Sequence, residues 1–476
     1  MLVLAAGAVW LIDEVVHSCG PIRSGVDKVD GECVGVTDGS YVFHHELARV
    51  QRLIAEENAD VRANSSSYVT VAVLNLLTPT ETSATSAEQV RGQLKGAYTA
   101  QRRLNEMHAA DKSFPQVQVV LANQGNTLDQ WQPVKDQLVA MSEEENHPLV
   151  AVIGLGVSTE DTRQRAIDLS EQGIAMVGAI ITGQGLDHSH IEGLIRVSPS
   201  NQDYVEALRA YLDTLKPLPS AMLVFDSNSA FRGDIFTGTL KRGLERRMGD
   251  LIKFPSQSFV GQSIPTDIDP GNFTAISNSI CAAKPDVVFY AGREVDLNGF
   301  LQSLEGRPCR QTPLTVLTGG SDIGSLLEQR EREQRLGPAN LTVLFAATTY
   351  PEGWARQADG TPEGYPEFLT AFKSHKFDIG NLDNGGAIMM HDALLAAVEA
   401  VERAVTEGRP ATVGNVRSEL LNLNLLHRVQ GASGTLSFNS TSTGAGNPIG
   451  KPIPVLQYPK PADSPFRQTA PLYVTR

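Results

Sequence analysis

Two adjacent hydroxyl side chains follow a strongly apolar segment in the stretch VIGLGVSTEDT, residues 152–162. Ser158 and Thr159 come directly before Glu160 and Asp161, and acids in the first turn of a helix interact favourably with its dipole. A hydroxyl at this place can cap the helix, and the free N–H groups of the same turn can bind a carboxylate. A dinucleotide loop is disfavoured, because the third glycine of GxGxxG is absent. A helix cap and a ligand clamp therefore stay open as alternatives.

Polar side chains also follow other apolar segments, and in open parallel sheets ligands bind beyond the carboxyl ends of the strands. These strand-end residues are Thr182, Asp226, Ser229, Phe231, Arg293, Glu294, Ser321 and Asp322. They supply hydroxyls, charges and one aromatic ring, but no nucleophile with its base and no cluster at metal-ligand spacing. The motif His188-Ser189-His190 stands alone and is interpreted as a surface loop. We therefore expect a binding protein rather than an enzyme, with no catalytic residues, no metal and no cofactor.

The composition excludes further classes of protein. Acidic residues outnumber basic ones 54 to 40, and the net charge of −14 disfavours binding to nucleic acid. The apolar segment 1–12 is shorter than the roughly 20 residues that a membrane-spanning helix needs. We interpret it as the remnant of a signal peptide or membrane anchor that begins upstream, with a short packed helix as the alternative.

Four cysteines form two pairs that are close in sequence, Cys19 with Cys33 and Cys281 with Cys309. This pattern indicates two disulfides and an oxidising compartment, with four unrelated thiols as the alternative. On the chain-entropy model, closing loops of these lengths would stabilise the fold by about 3 to 4 kcal/mol each.

From residue 68 onward, short apolar segments alternate with longer amphipathic ones. Strands are predicted at 69–77, 117–122, 149–154, 174–179, 221–226, 286–292, 313–319 and 341–347. Amphipathic helices are predicted between them, for example at 87–109, 131–141 and 160–171. The alternation is typical of βαβ units in parallel sheets that are buried on both faces. Eight strands at this spacing are too many for one domain. The break at 196–200 therefore predicts a crossover to a second sheet.

Residues 68–458 resemble the branched-chain amino acid family of type I periplasmic binding proteins, which are receptors of ABC transporters. Seven segments are similar to family motifs and follow them in order. They are QLKGAYTAQRRLNE (93–106), VIGLGVSTED (152–161), MVGAIITGQGLD (176–187), RVSPSNQ (196–202), LVFDSNSAFRGD (223–234), DVVFYAGREVD (286–296) and GASGTLSFN (431–439). The order of these segments over most of the chain carries the resemblance.

The resemblance implies an α/β fold of two doubly wound parallel-sheet lobes joined by a three-strand hinge. We place lobe 1 at 68–200 plus 320–434 and lobe 2 at 201–319 plus 435–465. Residues 1–67 lie outside the resemblance as an N-terminal extension that contains the signal or anchor remnant and the first disulfide, and 466–476 form a tail. It implies an extracytoplasmic protein, in the periplasm or at the cell surface, that captures an amino acid or similar zwitterion for an ABC permease. A ligand-sensing receptor ectodomain on the same fold is the alternative, and an N-terminal anchor would attach either one to a membrane.

The resemblance also assigns two groups of ligand contacts. Ser158, Thr159 and Thr182 would bind the α-carboxylate of the ligand, to which hydroxyl and helix-terminal N–H groups donate charge-assisted hydrogen bonds. Ser321 or Asp322 would bind the α-ammonium group. Gapless alignment places Ser321 at the acidic position of the family, and Asp322 is the adjacent acid that we select.

Two residues would contact the side chain of the ligand. Phe231 occupies one position where the family usually has an aromatic residue, and Arg293 occupies the other. A cation at this second position favours a polar or acidic ligand over a purely aliphatic one. The alternative is that Arg293 pairs with Glu294 or Asp296 and does not meet the ligand.

Overall fold

The structure, a computed structural model, describes most of the chain. The described residues are 19, 25–80, 83–228, 233–261, 273–320, 336–441, 444–459 and 472–476. The apolar segment 1–12 lies outside them, as do the predicted ligand contacts Phe231, Ser321 and Asp322.

Strands and helices alternate through most of the described residues. The strands are β1 (Val26–Val29), β2 (Glu32–Thr37), β3 (Tyr68–Asn75), β4 (Gln116–Asn123), β5 (Leu149–Gly154), β6 (Ala175–Gly178), β7 (Leu194–Arg196), β8 (Ala221–Asp226), β9 (Gln257–Phe259), β10 (Val287–Ala291), β11 (Leu314–Gly320), β12 (Leu341–Ala347), β13 (Val429–Gly431), β14 (Gly434–Leu436), β15 (Pro452–Ile453), β16 (Val455–Tyr458) and β17 (Tyr473–Val474). The α-helices are α1 (Ala48–Asn64), α2 (Ala87–Ala110), α3 (Trp131–Ser142), α4 (Glu160–Glu171), α5 (Asn201–Leu212), α6 (Ile235–Met248), α7 (Phe273–Ala283), α8 (Glu294–Glu305), α9 (Pro351–Trp354), α10 (Tyr365–Ser374), α11 (Gly386–Thr406) and α12 (Val413–Leu421).

Two large sheets organise the molecule. The first has the order β1-β2-β4-β3-β5-β6-β7 and the second the order β16-β12-β11-β10-β8-β9. Strands β3 to β7 are parallel, and so are β8 to β12. In each sheet the strand order reverses next to the first parallel strand, β3 or β8, which creates a topological switch point. The two switch points are the places where a doubly wound sheet leaves a crevice for a ligand.

Helices cover both sheets, which explains why their strands are continuously apolar. Every residue of β5 is buried, for example, as in parallel strands that are covered on both faces. Helices α1 to α4 and α10 to α12 pack on the first sheet or on its helices, whereas α5 and α6 pack on the second. Local signals fix the helix starts: Ser86 and Gln89 form a capping box at α2, and Ser200 and Asp203 form another at α5.

The chain passes between the two sheets three times. It leaves the first sheet after β7, returns after β12 to form α10 to α12 on the first sheet, and crosses again before β16. We call the first sheet with its helices lobe 1 and the second sheet with its helices lobe 2. The two-lobe α/β fold that the sequence predicts is therefore present.

The structure differs from the predicted boundaries at two places. Strand β12 lies in the second sheet, because it pairs in parallel with β11, whereas the boundary at residue 320 had assigned it to lobe 1. Residues 26–64, which were set apart as an extension, form the edge hairpin β1–β2 and the helix α1. Strand β2 pairs antiparallel with β4, and α1 packs on β4, so this segment completes the sheet of lobe 1.

Both predicted disulfides are present. The Cα atoms are 5.6 Å apart in Cys19–Cys33 and 5.4 Å apart in Cys281–Cys309. The first joins the strand β2 to the segment before β1, and the second joins α7 to the loop that follows α8. Among the helices described above, none combines the length and the apolar character that crossing a membrane requires.

Candidate functional site

The loop after β5, residues 154–159, is called the serine loop. Gly154, Leu155 and Gly156 are consecutive residues with positive φ angles of 94°, 68° and 67°. Glycine adopts this conformation readily, whereas a buried leucine at positive φ is strained and persists only because the surrounding structure fixes it. The serine loop is therefore held in one conformation at the switch point of the first sheet.

The two adjacent hydroxyls of the serine loop have different roles. Thr159 is the N-cap of α4, and its Oγ1 accepts a hydrogen bond of 3.2 Å from the backbone N–H of Thr162. Ser158 is 2% exposed, and its Oγ accepts hydrogen bonds from the backbone N–H groups of Thr182 and Gly183, at 2.9 and 3.1 Å. Ser158 therefore holds the turn that carries Thr182, the third residue predicted to bind the carboxylate of the ligand.

That turn, residues 181–183, is called the threonine turn. Thr182 is 1% exposed, and its Oγ1 has no hydrogen-bond partner among the described residues. A buried hydroxyl without a partner is unfavourable and usually marks a place where a water or ligand binds. Because Ser158 Oγ accepts two bonds, its own proton also remains available to donate. The serine loop and the threonine turn thus hold two buried potential donors close together.

Arg293 lies opposite the serine loop, at the N-cap of α8, and is 5% exposed. Its Nε and Nη2 donate to the two carboxylate oxygens of Asp234 at 2.7 and 2.9 Å, which is a bidentate ion pair. Nη2 also donates to the carbonyl of Ser158 at 3.2 Å, and the guanidinium lies over the ring of Phe236. Arg293 therefore pairs with the acid that caps α6, a partner that sequence reasoning did not consider, and it bridges the two lobes.

The lobes also meet through their backbones at this point. The N–H of Phe236 donates to the carbonyl of Ser158 at 3.1 Å, and the N–H of Glu160 donates to the carbonyl of Gly233 at 2.9 Å. A side-chain bond also joins the lobes, since Gln89 Nε2 donates to Glu294 Oε2 at 3.0 Å. The starts of α4 and α6 are thus in direct contact, and the cleft is closed at this end.

A cavity of about 390 Å³ remains between the lobes, and we call it the cleft cavity. Its walls come from lobe 1 at residues 44–46, 79–80, 83–87 and 89 and from lobe 2 at Phe236, 292–295, 297–298 and 318–320. Residues 79–89, as far as the structure describes them, follow β3, residues 292–298 follow β10, and residues 318–320 end β11, so these parts of the wall lie at the carboxyl ends of parallel strands. Arg293 lines the cavity, whereas Ser158, Thr159 and Thr182 do not. Ser321 and Asp322 come next in the chain after its lining residue Gly320.

Sequence reasoning missed several polar lining residues. They are His44, His45, Glu46, Ser86, Gln89 and Thr318. Thr318 could have been found, because it lies near the carboxyl end of a predicted strand. The residues at 44–46 could not, because they belong to a segment outside the resemblance that only the tertiary fold brings to the cleft.

His44, His45 and Glu46 are close enough to suggest a metal site, since their ligand atoms lie within 4.8 Å of one another. Their contacts do not suit one. His44 Nδ1 accepts from the backbone N–H of Glu46 at 3.3 Å, so Nε2 carries the proton of the neutral ring. An imidazole that binds a metal through one nitrogen usually donates a hydrogen bond from the N–H of the other nitrogen. In His44 the nitrogen Nδ1 accepts a bond, so it does not have this arrangement. Glu46 also pairs with Arg91 at 2.9 Å, so the group is better suited to hydrogen bonding than to coordination.

Comparison with known proteins places the architecture in a class. No protein-family model matches the chain, and no curated protein matches it either. Among solved structures, a leucine-bound ABC transporter substrate-binding protein from Desulfitobacterium hafniense has a TM-score of 0.60 at 15% identity, covering 85% of this chain and 100% of that one. The isoleucine-bound branched-chain amino acid transporter substrate binding protein of Streptococcus pneumoniae has a TM-score of 0.56 at 15% identity, covering 82% and 96%.

A third similar structure has an aromatic acid as its ligand instead of an amino acid. The solute binding protein of an ABC transporter from Rhodopseudomonas palustris, in complex with 3,4-dihydroxybenzoic acid, has a TM-score of 0.61 at 12% identity, covering 86% of this chain and 98% of that one. The chain thus has the fold of type I periplasmic binding proteins, which confirms the predicted fold class. At these identities the likeness concerns the fold, so ligand and residue roles must be argued from the site.

Proposed function

We propose that the protein is an extracytoplasmic solute-binding protein that captures an amino acid or a related small acid and delivers it to an ABC-type importer. The cleft cavity is the observation that carries the proposal, because both lobes line it and it lies at the carboxyl ends of β3, β10 and β11. Its volume is within the range of about 300 to 1,000 Å³ that small-molecule sites occupy. Its lining of hydroxyl, amide and imidazole groups suits a small polar ligand.

We assign the ligand contacts from the sequence prediction, supported by the contacts of Ser158 and Arg293 described above. Thr182 and Ser158 donate to a carboxylate of the ligand, and Thr159 supports the serine loop as the cap of α4. Ser321 or Asp322, which directly follow the cavity wall, would bind an ammonium group, and Phe231 would contact the side chain. Asp234 already compensates the charge of Arg293, so Arg293 contributes a closing contact between the lobes and does not by itself demand an acidic ligand.

A ligand panel followed by thermal unfolding tests the proposal on the full chain. The panel contains L-amino acids, hydroxybenzoic acids, dicarboxylic acids and amides, with sugars and nucleosides as the comparison set. A true ligand at about 100 times its Kd should raise the free energy of unfolding by about 2.7 kcal/mol. If no acid or amino acid shifts the transition, or if only sugars or nucleosides do, the proposal is wrong.

A matched pair of variants then tests the carboxylate contact. Thr182→Val replaces a buried hydroxyl by a methyl group in the threonine turn, and Thr99→Val makes the same change in α2, where the hydroxyl bonds only within its helix. Thr182→Val should weaken binding of the ligand at least tenfold, whereas Thr99→Val should leave the Kd unchanged. Equal affinities in the two variants would remove Thr182 from the site.

A further inference from the structure

The threonine turn is held by the segment that crosses from lobe 1 to lobe 2. All three of its backbone carbonyls accept a hydrogen bond from this first crossing. The donors are Ser198 Oγ to Ile181 at 3.0 Å, the backbone N–H of Asn201 to Thr182 at 2.8 Å, and Arg196 Nη1 to Gly183 at 2.7 Å. On its other side the turn is held by Ser158, as described above. Its position is therefore set by the serine loop and by the first crossing together.

Arg196 links the same turn to a second crossing. It is the last residue of β7, is 1% exposed, and its Nε donates to Asn447 Oδ1 at 2.6 Å. Its backbone N–H donates to the carbonyl of Gly446 at 3.0 Å. Asn447 lies on the segment that leads back to β16 in lobe 2, and its Nδ2 donates to Asp187 at 3.2 Å. One guanidinium group therefore joins the threonine turn, the first crossing and the third crossing.

A guanidinium group is suited to this position by its shape. Its donors lie in one rigid plane, so bonds to Gly183 and Asn447 fix the angle between the turn and the third crossing. A lysine ammonium would keep the charge but not the fixed angle between two donors. Any rotation of the lobes must change the backbone torsions of the crossings, and these bonds transmit that change to the turn.

We infer that Arg196, together with Asn447, is a positioning residue that couples the angle between the lobes to the placement of Thr182. Arg196 does not touch the ligand and acts through the threonine turn. The inference rests on the proposed function, since Thr182 is assigned there to the ligand. The inference adds a residue that affects ligand affinity from the crossings between the lobes, without contacting the ligand.

The test uses Arg196→Lys, with Arg307→Lys as the matched control. Arg307 is also 1% exposed and also donates to backbone carbonyls, those of Leu304, Thr312 and Ala339, but it lies in lobe 2 away from both crossings. With the ligand identified by the panel, Arg196→Lys should raise the Kd at least tenfold, measured by calorimetry, and Arg307→Lys should change it less than twofold. Equal affinities, or equal losses in the two variants, would overturn the inference.

Two ligand-free measurements separate this inference from the proposed function. In hydrogen exchange, the amides of Thr182 and Gly183 should exchange at least tenfold faster in Arg196→Lys than in the wild type and in Arg307→Lys. With dyes on Asp129→Cys in lobe 1 and Arg246→Cys in lobe 2, both exposed, Arg196→Lys and Asn447→Ala should each broaden the distribution of distances between the lobes. If the panel yields no ligand, the proposed function fails while these two results still decide the coupling. Unchanged exchange and an unchanged distance distribution would refute it.

Discussion

Single side chains decide what the serine loop can do. The sequence shows two adjacent hydroxyls and does not say which caps the helix. In the structure Thr159 caps α4, and Ser158 points inward to the threonine turn. Because the backbone at a cap is extended while the helix begins one residue later, neighbouring side chains leave the chain in different directions. The helix cap and the contact to the threonine turn therefore lie on adjacent residues.

Removing the hydroxyl of Ser158 should lower the free energy of unfolding more than removing that of Thr159. Ser158→Ala leaves two buried N–H groups without their acceptor, so the free energy of unfolding should fall by about 2 kcal/mol. Thr159→Ala removes one cap and should cost about 1 kcal/mol, whereas Thr159→Ser keeps the oxygen and should cost less. Urea unfolding monitored by circular dichroism measures these differences. A Ser158→Ala variant as stable as the wild type would mean that the two N–H groups find another acceptor.

The ion pair of Arg293 with Asp234 should be sensitive to the loss of one partner. Asp234→Asn keeps an oxygen for the N–H of Thr237 at the start of α6 but removes the negative charge from the buried bidentate pair with Arg293. Breaking a buried pair in this way should cost about 3 to 5 kcal/mol. The exposed pair of Glu160 with Arg163 is the control, since Glu160→Gln should cost less than about 1 kcal/mol. Similar losses in the two variants, by urea unfolding, would show that Asp234 and Arg293 are solvated.

At the scale of elements, a buried polar cluster fastens α11 to the hairpin β13–β14. Asp392 of α11 accepts from the backbone N–H groups of Ala432 and Ser433, each at 2.8 Å, and from His391 Nδ1 at 2.9 Å. Lys451, on the segment that leads to lobe 2, bonds to Ser433 Oγ and lies 3.6 Å from Asp392. The cluster therefore ties the third crossing to the helix layer of lobe 1.

Because of this cluster, the free energy of unfolding should depend on pH in the acidic range. Burial would raise the pKa of Asp392, but the hydrogen bond from His391 and the charge of Lys451 hold it at about 2, below its ordinary 3.8. A lowered carboxyl pKa gives stability that is fully present above about pH 4 and is lost as the pH falls towards 2. Between pH 5 and pH 3 this group alone should remove about 1 kcal/mol.

The variant Asp392→Asn isolates that contribution. It should be less stable than the wild type at pH 5, and its free energy of unfolding should fall less between pH 5 and pH 3. Urea unfolding at the two pH values measures both quantities. If the wild type and the variant lose the same stability over this interval, Asp392 does not have the lowered pKa.

The whole molecule is closed by direct contact between its lobes, beside a cavity that both lobes share. Closure brings the backbone of Gly233 to Glu160 and places Arg293 against the serine loop. A hinged binding protein exchanges such a closed form with an open one, and a ligand favours the form in which both lobes contact it. The contacts around Gly233 are therefore the place to shift that balance.

Gly233→Ala should favour the open form. Its φ is +70°, and an added Cβ would lie 2.8 Å from Glu160 Cβ across the cleft. Gly408→Ala is the control, because its φ is +73° but its Cβ would meet nothing within 4 Å. Small-angle scattering should show a larger radius of gyration for Gly233→Ala and no change for Gly408→Ala. An unchanged radius in both would mean that this contact does not limit opening.

The strands and helices of the lobes, and the class of fold, could be predicted from local patterns in the chain. Helix α4 begins and ends where the pattern of apolar residues places it, and the predicted strands from 69 to 347 all form, because apolar periodicity and end signals act locally. The seven ordered motifs were enough to predict a two-lobed α/β fold. The cysteine spacing was enough to predict both disulfides.

Which lobe each segment joins, and which residues meet between the lobes, could not be predicted in this way. The pairing of β12 with β11, the pairing of β2 with β4 and the bond from Arg293 to Asp234 all join residues at least 20 positions apart. Such contacts depend on packing in three dimensions and leave no periodic trace in the chain. The same holds for Arg196 and Asn447, which are 251 residues apart and meet only because two crossings lie side by side.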